Sequence, residues 1–287
     1  MSRTYGRNET LKNFASGLSQ DAMQNSLAEF VAPRVVTGVA SGQYKVFSDK
    51  NSFLAPDAAR AIGGKAHRIG FESTDAYFNC APSALEITID EFERQAAGSD
   101  AGMLEEAKTK AVVTQAILSH EKAVFAAVNA ALRAVDSRGN WSSSGYDPIA
   151  QIDEQIAAIA NATGQMPNRM VLGLAAWQIL RGNANVLERQ PGAQLIGLTT
   201  AQLAAMTLNP NMEIRIGVLA YDANKSGKTA SKGNIVGSEC YIFVGSAAPT
   251  QYDPSFAKTF SAKLGSDRKS TRLNSSHELK SRMPSSA

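Results

Sequence analysis

The stretch TGQMPNRMVLGLAAWQILRGNANVLER, residues 163–189, contains the clearest change from strand to helix in the chain. RMVLG is a short apolar run that ends in glycine, which predicts a buried strand. LAAWQILRGN follows at once and is expected to form a helix, with Trp177 among its apolar residues. A strand that passes directly into a helix is typical of a fold that mixes α and β structure.

The segment before this stretch, DPIAQIDEQIAAIANATG, predicts a helix with both ends marked. Asp147 is placed to cap its N-terminus, Pro148 stands at the first helical position, and Gly164 is placed to end it. The expected buried stripe consists of Ile149, Ile152, Ile156 and Ile159.

After residue 189 the sequence predicts one more helix and at least two strands. TAQLAAMTL favours a short helix, while MEIRIGVLAY and CYIFVG favour strands. The polar, glycine-rich segment DANKSGKTASKGNIVG lies between the two strands and is expected to be a surface loop.

One long helix dominates the middle of the chain. Residues 100–135 contain no proline, Asp100 is placed to cap the start, and Glu106 is spaced for an ion pair with Lys110. Such a helix would be about 50 Å long at 1.5 Å per residue. Its expected apolar face consists of Leu104, Ala107, Ala111, Leu118, Phe125, Val128 and Leu132.

The N-terminal part of the chain predicts projections rather than a compact domain. The first thirty or so residues are polar, and only NSLAEFVAPRV at their end is apolar enough to pack. From Tyr44 to about Asp90, the runs YKVFSD, AHRIGFES, DAYFN and ALEITID alternate with period two, which predicts strands in a long hairpin-like excursion. Projections of this kind bury little against their own chain and need neighbours.

The positive charge of the chain lies in its last residues. The 287 residues carry 29 Lys plus Arg and 26 Asp plus Glu, a formal net charge of +3. From Asp267 onward there are five bases and two acids, so the remaining residues carry 24 of each. A neutral body has no general electrostatic reason to bind nucleic acid, and a nucleic-acid-binding module would depend on the tail alone.

No motif in the sequence assigns a catalytic, cofactor-binding or metal-binding residue. SGKTASKG has Asp222 where a phosphate-binding P-loop needs glycine, and His120 is followed one turn later by Val124 rather than a second histidine. The G-x-S-x-G nucleophile pattern is absent, and neighbouring acids such as Asp153 and Glu154 point in different directions on a helix. We therefore predict a protein without enzymatic activity or cofactors.

The cysteines and the hydropathy of the chain indicate the cellular compartment in which it is made. Cys80 and Cys240 are far apart in sequence and lack the spacing of a zinc site, which predicts two reduced thiols. No run approaches the roughly eighteen apolar residues of a membrane span, and MSRTYGRNETLKNFASG lacks the apolar core of a secretory signal. We expect a protein that is made in the cytoplasm and has no membrane partner.

Several stretches resemble the major capsid proteins of tailed double-stranded DNA phages, the family with the Hong Kong 97-type coat fold. Residues 163–189 are similar to the family pattern T-G-x-x-P-N, a strand ending in glycine, an aromatic-bearing helix, and N-x-x-V-x-x-R. FVAPRVVTGVASGQYKVFSDKNSFLAPDAARAIGGKA resembles the entry region of the family. The family run L-x-x-E-x-x-V matches Leu118 to Val124, and YDPSFAKTF resembles the segment before the last strands.

The resemblance implies an α+β fold with five regions. They are an N-terminal arm (1–35), an extended loop with flanking strands (36–95), a spine helix of the peripheral domain (96–140), a mixed α/β axial domain that returns toward the peripheral domain (141–265), and a non-native tail (266–287). Lys45, Lys50 and Lys65 lie in the loop region where some family members crosslink, but they match no crosslinking motif.

The implied function is that of a head protein that self-assembles into an icosahedral shell around the phage genome. The implied partners are other copies in hexamers and pentamers, with scaffolding, portal and decoration proteins as further candidates and only non-specific contact with packaged DNA. The protein would be made in the bacterial host cytoplasm and located in the virion. The alternatives are an encapsulin-type nanocompartment shell, distinguished by a neighbouring cargo-enzyme gene, and a hydrolase or nucleotide-using enzyme dependent on Lys228.

The tail itself resembles translated sequencing adapter. DRKSTRLNSSH, residues 267–277, can be written codon by codon as the standard indexed adapter of short-read libraries. After ELK, a spacer of index size, SRMPSSA matches the next stretch of the adapter in the same frame. We therefore expect that residues 266–287 are read-through without native structure and that the true final strands are missing.

Overall fold

The computed structural model contains nine helical and ten strand segments within the residues that it describes. These residues are 11, 13–18, 26–47, 55, 59–60, 62–66, 68, 73–132, 141–143, 145–189, 197–224, 227–246, 248–253, 255–263 and 277–281. The α-helices are α1 (Leu27–Val31), α2 (Glu91–Ala97), α3 (Ala101–Ala131), α4 (Pro148–Thr163), α5 (Leu174–Gly182), α6 (Ala184–Arg189) and α7 (Thr200–Met206), and a 3-10 turn covers Gly98–Asp100. The strands are β1 (Arg34–Thr37), β2 (Ser41–Phe47), β3 (Ser73–Asn79), β4 (Arg169–Gly173), β5 (Glu213–Gly217), β6 (Ala220–Asp222), β7 (Lys232–Asn234), β8 (Cys240–Phe243), β9 (Ala257–Ala262) and β10 (His277–Ser281). Residues 13–18 are also helical.

Strand β4 lies at the centre of the structure. It pairs in parallel with β5 and antiparallel with β8, so both of its edges are occupied. Met170 and Leu172 face one hydrophobic core with α4, α5 and α7, while Val171 faces the other core with α1 and α3. A strand that is buried on both faces is expected to be a continuous apolar run, and RMVLG fits that expectation.

Gly173 ends β4 because its backbone lies against another loop. A Cβ atom at this position would stand 2.0 Å from the carbonyl oxygen of Gly237. The Gly173 N–H donates to the Glu239 carbonyl at 2.9 Å, and the Ala175 N–H donates to the Gly237 carbonyl at 3.2 Å. Only glycine permits this close approach at the junction of β4 and α5.

The ends of α4 are those that the sequence predicts. The Asp147 side chain accepts the N–H groups of Ile149 and Ala150, and Gly164 adopts the left-handed conformation with φ 68°. Ile149, Ile152 and Ile156 are buried in the core, whereas Ile159 is half-buried.

Three local predictions are wrong. Asp100 makes no side-chain cap of α3, because the chain enters that helix through the 3-10 turn after α2. Residues 84–90 form no strand, since their backbone has no strand partner in the described part of the chain. The expected apolar face of α3 is buried only toward its C-terminus, at Phe125 and Val128, with Val113, Glu121 and Val124 as further buried residues.

A second sheet brings distant parts of the chain together. β1 and β9 are parallel, with Val35 opposite Phe260, and β10 pairs antiparallel with β9 from His277 to Ser281. The prediction that residues 266–287 lack native structure is not tested by the pairing at 277–281. Backbone pairing at an open sheet edge depends little on sequence, so β9 offers hydrogen bonds to any strand that reaches it. Residues 264–276 and 282–287 lie outside the described residues.

Candidate subunit-interface surfaces

The residues that carry the recognisable pattern at 163–189 stabilise the fold. The Asn168 amide donates to the Gly245 carbonyl at 2.9 Å and accepts the Gly245 N–H at 2.8 Å. Asn183 accepts the N–H of Asn185 at 2.9 Å at the start of α6 and donates to the Trp141 carbonyl at 2.8 Å. Each amide joins segments that are distant in sequence, so its function is structural.

A shallow, open pocket lies where α4 and α6 meet. It is lined by Asp147, Asn185, Glu188 and Arg189. Of its three charged residues, Asp147 caps α4 and forms an ion pair with Arg189, and Glu188 is the third. The pocket therefore presents no nucleophile activated by a neighbouring base, and its contacts are those of a joint between two helices.

The loop that contains Lys228 belongs to a hairpin. β6 and β7 pair antiparallel on either side of it, with Asp222 opposite Lys232. The Asp222 carboxylate accepts the N–H groups of Asn224 at 2.9 Å and Ser231 at 3.0 Å, and these bonds lower the pKa of Asp222. A carboxylate at this position repels phosphate, and a strand rather than a helix follows the loop.

A buried polar cluster joins residues 26–34 to helix α3. Ser26, the N-cap of α1, donates its hydroxyl to Glu121 Oε2 at 3.0 Å, and Glu121 is 1% exposed. Burial raises the pKa of Glu121 above its ordinary value, although the hydrogen bonds from Ser26 and Leu27 oppose this. The other carboxylate oxygen, Oε1, is buried without a hydrogen-bond partner in the described structure.

His120 lies beside this cluster on the same helix. Burial lowers the pKa of His120 to about 4, and the positive charge of Arg34 contributes to the decrease. Arg34 itself forms an ion pair with Glu29 of α1 at 2.9 Å. The cluster thus fixes α1 and β1 against α3, and at neutral pH His120 is uncharged.

Neither cysteine has the environment of a reactive thiol. Cys80 is buried and its Sγ lies 3.5 Å from the Phe260 carbonyl oxygen. Burial raises the pKa of Cys240 to about 12, which disfavours the thiolate. Both cysteines are free, as the sequence predicts.

The β2–β3 hairpin is the first of two regions that project from the cores. Its base is anchored by Phe78, which stacks on Phe260 with ring centroids 4.4 Å apart, and by Tyr44 at 5.2 Å from the same ring. Toward its distal end, Lys45 pairs with Asp75 at 2.5 Å. A two-stranded hairpin has marginal stability alone and gains stability from a neighbour.

The distal end of this hairpin leads into a segment that we call the basic loop, residues 59–68. It contains Arg60, Lys65 and Arg68 and no acidic residue. All three bases are exposed, and Ile62 has an exposed fraction of 107%. Arg60 donates to the Gly64 carbonyl at 3.2 Å. Residues 61 and 67 lie outside the described part.

The second projecting region is the acidic lobe, residues 84–106. It consists of the extended segment 84–90, α2, the 3-10 turn and the first residues of α3, and α2 contains no buried residue. Lys108 of α3 holds the lobe together by donating to the Thr88 carbonyl at 3.2 Å and pairing with Glu93. Arg94 pairs with Glu105 at 2.9 Å.

The acidic lobe combines a strong charge with exposed apolar side chains. It carries seven acids and one base: Glu86, Asp90, Glu91, Glu93, Asp100, Glu105, Glu106 and Arg94. Phe92 is 77% exposed and Met103 71% exposed, and Leu85 and Ile87 are also exposed. Exposed apolar residues surrounded by charge are the composition of a binding surface rather than of a solvated face.

The described residues contain no candidate metal site and no candidate membrane-spanning helix. Within the described ranges, no group of three or more His, Cys, Asp or Glu side chains is arranged to hold a metal ion. None of the described helices is both long and apolar enough to cross a bilayer.

Comparison with known proteins identifies one curated relative and a similar solved structure. The chain is 26% identical over 275 residues to a protein named major capsid protein from Burkholderia phage BcepMu, covering 90% of this chain and 86% of the relative. A phage-related protein from Bordetella bronchiseptica RB50 has a similar crystal structure, with a TM-score of 0.67, 19% identity, and coverage of 96% of this chain and 93% of the other. No protein-family profile matches the chain.

The comparisons confirm the resemblance to phage major capsid proteins and the mixed helix and strand fold. They support a structural role in a phage capsid for this chain. The described surfaces are compatible with that role, because the two projections carry exposed apolar residues, Tyr77 on the hairpin and Phe92 and Met103 on the acidic lobe among them, and the motif residues Asn168 and Asn183 are hydrogen-bonded within the chain.

Proposed function

We propose that this chain is the major capsid protein of a tailed double-stranded DNA phage and has the Hong Kong 97-type coat fold. The observation that carries the proposal is the match to a protein named major capsid protein along 90% of the chain. The two projections add physical support, since both expose apolar side chains that their own chain leaves uncovered.

In this proposal the five regions have separate functions. Residues 1–35 form the arm, 36–95 the extended loop, 96–140 the spine helix, and 141–265 the axial domain with its return. The protein binds other copies of itself in hexamers and pentamers, which close into an icosahedral shell because each contact is repeated around a ring. Scaffolding, portal and decoration proteins are further partners, and packaged DNA is contacted only non-specifically.

The protein acts as a structural component of the virion after synthesis in the host cytoplasm, and it performs no catalysis. Three observations support the last point. The Lys228 loop has a carboxylate at its base, Asp147 and Arg189 of the pocket at α4 and α6 are paired with each other, and Cys80 is buried while burial raises the pKa of Cys240. An encapsulin-type shell would have similar projections, but the curated relative is named as a phage major capsid protein and the solved structure as a phage-related protein.

The test is assembly of the purified full chain. We expect rings or closed shells in negative-stain electron microscopy and particles far heavier than the 30.5 kDa chain in mass photometry. A small soluble oligomer that hydrolyses a nucleotide, with activity lost in Lys228→Ala, would contradict the proposal and favour an enzyme.

The tail is a separate proposal. We infer that residues 266–287 derive from adapter sequence and replace the native final strands. Independent sequencing of the gene across its 3′ end tests this. A different sequence after about Leu264 is expected, whereas recovery of DRKSTRLNSSH in the genome would contradict the inference.

A further inference from the structure

Two arginines of the central sheet lie over one aromatic ring. The Cζ atom of Arg169 is 4.8 Å from the centroid of the Phe30 ring, and the Cζ atom of Arg215 is 4.3 Å from the same centroid. Arg169 belongs to β4, Arg215 to the adjacent strand β5, and Phe30 to α1. A guanidinium that lies over an aromatic ring keeps N–H groups at its edge for hydrogen bonds. We call Arg169 and Arg215 the arginine pair.

The Arg169 side chain is held in place by three contacts. One is the Phe30 ring, and the second is the Phe30 carbonyl, which accepts a hydrogen bond from Nη1 of Arg169 at 2.7 Å. The third is the backbone of Gly245, where a Cβ atom would stand 2.5 Å from Cδ of Arg169. A side chain that is already ordered loses little conformational entropy when it binds a ligand.

The positive charge of the arginine pair is only half compensated by its own chain. Arg215 donates from Nε and Nη2 to Glu213 Oε1 at 2.9 and 2.8 Å, whereas Arg169 makes no ion pair within the described residues. Burial lowers the pKa of Arg169, and the charge of Arg215 contributes to the decrease, although Glu213 opposes it. Charges that are removed from water are normally paired, so the arginine pair lacks one anion.

We propose that the arginine pair binds a phosphate group of a nucleic-acid backbone. The inference rests on the proposed function, in which the shell encloses DNA, and it adds the residues through which the chain contacts that DNA. One phosphodiester supplies the single negative charge that the pair lacks, and the N–H fork of a guanidinium matches phosphate oxygens. Contacts to phosphate carry no base information, which agrees with non-specific binding.

The geometry favours phosphate over a carboxylate of another protein chain. A carboxylate is planar and engages one guanidinium, as Glu213 does with Arg215. A phosphate group is tetrahedral, so its oxygens can accept hydrogen bonds from two guanidinium groups at once. A single ordered site of this kind requires no basic surface around it, and the neutrality of residues 1–266 does not oppose it.

Binding of a fluorescent DNA duplex to the unassembled full chain tests the site. We expect that Arg169→Gln with Arg215→Gln decreases the affinity at least about tenfold and decreases the slope of log K against log salt concentration by about 1–2. Lys110→Gln with Lys228→Gln removes the same charge from two exposed positions and is the matched control. Its affinity is expected to change less than about twofold. Fluorescence anisotropy measures binding, and circular dichroism confirms folding.

A variant with the opposite expected effect keeps both arginines. Glu213→Gln removes the carboxylate that competes with phosphate for Arg215, so we expect it to increase DNA affinity about threefold or more. Glu91→Gln, which removes an exposed acid of α2, is its control and is expected to have a smaller effect. Equal affinities for Glu213→Gln and Glu91→Gln, or for the arginine double variant and the lysine double variant, would overturn the inference.

A second measurement uses the unaltered chain. Phenylglyoxal modifies accessible arginines, and mass spectrometry is expected to show that the DNA duplex protects Arg169 and Arg215. Equal protection by inorganic phosphate at the same phosphate concentration would indicate a site for free phosphate and contradict a nucleic-acid ligand. Protection that depends on protein concentration without DNA would indicate a carboxylate of another copy and would also contradict it. If the unaltered chain forms no shells, the proposed function fails. If it forms shells but DNA does not protect these arginines, only this inference fails.

Discussion

The two ends of helix α3 lie in different environments. Toward the C-terminus, Val124, Phe125 and Val128 are at most 1% exposed and pack against α1 and β8. Toward the N-terminus, Met103 is 71% exposed, and the neighbouring helix α2 buries nothing. One continuous helix thus contributes its C-terminal part to the core of its own chain and leaves much of its N-terminal part exposed.

The largest expected effect compares two apolar residues on this helix. Phe125→Ala removes a fully buried ring and is expected to cost about 3–5 kcal/mol of the free energy of unfolding. Met103→Ala removes a mostly exposed side chain and is expected to change that free energy by less than about 0.5 kcal/mol. Urea unfolding of the unassembled chains measures the change in free energy for each variant. Similar changes for Phe125→Ala and Met103→Ala would contradict the difference in burial between the two ends of α3.

Because of His120, the free energy of unfolding is expected to depend on pH. Its folded pKa of about 4 lies below the ordinary 6.5, so its contribution to stability is present above pH 6.5 and is lost as the pH falls toward 4. The loss is on the order of 2–3 kcal/mol. His120→Gln is expected to show a smaller decrease in the free energy of unfolding between pH 6.5 and 4. Parallel pH profiles for the two chains would contradict this.

Glu121 is expected to change the pH dependence of the free energy of unfolding in the opposite direction. Its folded pKa is raised, so the stability linked to its protonation is present below pH 4.5 and is lost as the pH rises through the folded pKa. Glu121→Gln remains uncharged and is expected to exceed the unaltered chain in stability by roughly 1 kcal/mol at pH 8, with a smaller difference at pH 4. Thermal unfolding at the two pH values measures this, and an equal effect at both would show that ionisation is not its cause.

The smallest effect is expected in the acidic lobe. Arg94 pairs with Glu105, but the Arg94 side chain is 55% exposed, so Arg94→Ala should cost at most about 0.5 kcal/mol. Chemical denaturation at low and high salt measures the change. A cost above about 1.5 kcal/mol would show that the lobe is stabilised by its own chain more than its exposure indicates.

The sequence predicts the central elements because local signals and tertiary packing agree there. RMVLG is apolar on both faces and lies between two cores, and Asp147 and Gly164 form the caps that their residue types favour. The amide clamp of Asn168 on Gly245 is not predictable in this way, because its partner is 77 residues away.

The structure of the projections is predicted less well from the sequence. The spacing of apolar residues shows which side of a strand or helix is apolar, but it does not show which other segment packs against that side. ALEITID alternates like a strand, but residues 84–90 have no partner strand in the described structure. The start of helix α2 is predictable from the sequence, because Asp90 and Glu93 have the spacing of a capping box and form one in the structure. The charge contrast between residues 59–68 and 84–106 was likewise visible in the sequence.

Strand β4 has a thermodynamic consequence. Val171 packs in one core, and Met170 and Leu172 pack in the other. Detachment of β4 from either core would therefore also expose apolar residues of the other core. We therefore expect the two cores to melt in a single calorimetric transition, with a van't Hoff enthalpy close to the calorimetric enthalpy. A chain with this property does not accumulate species in which one of these two cores is folded and the other is open, with its strand edges exposed.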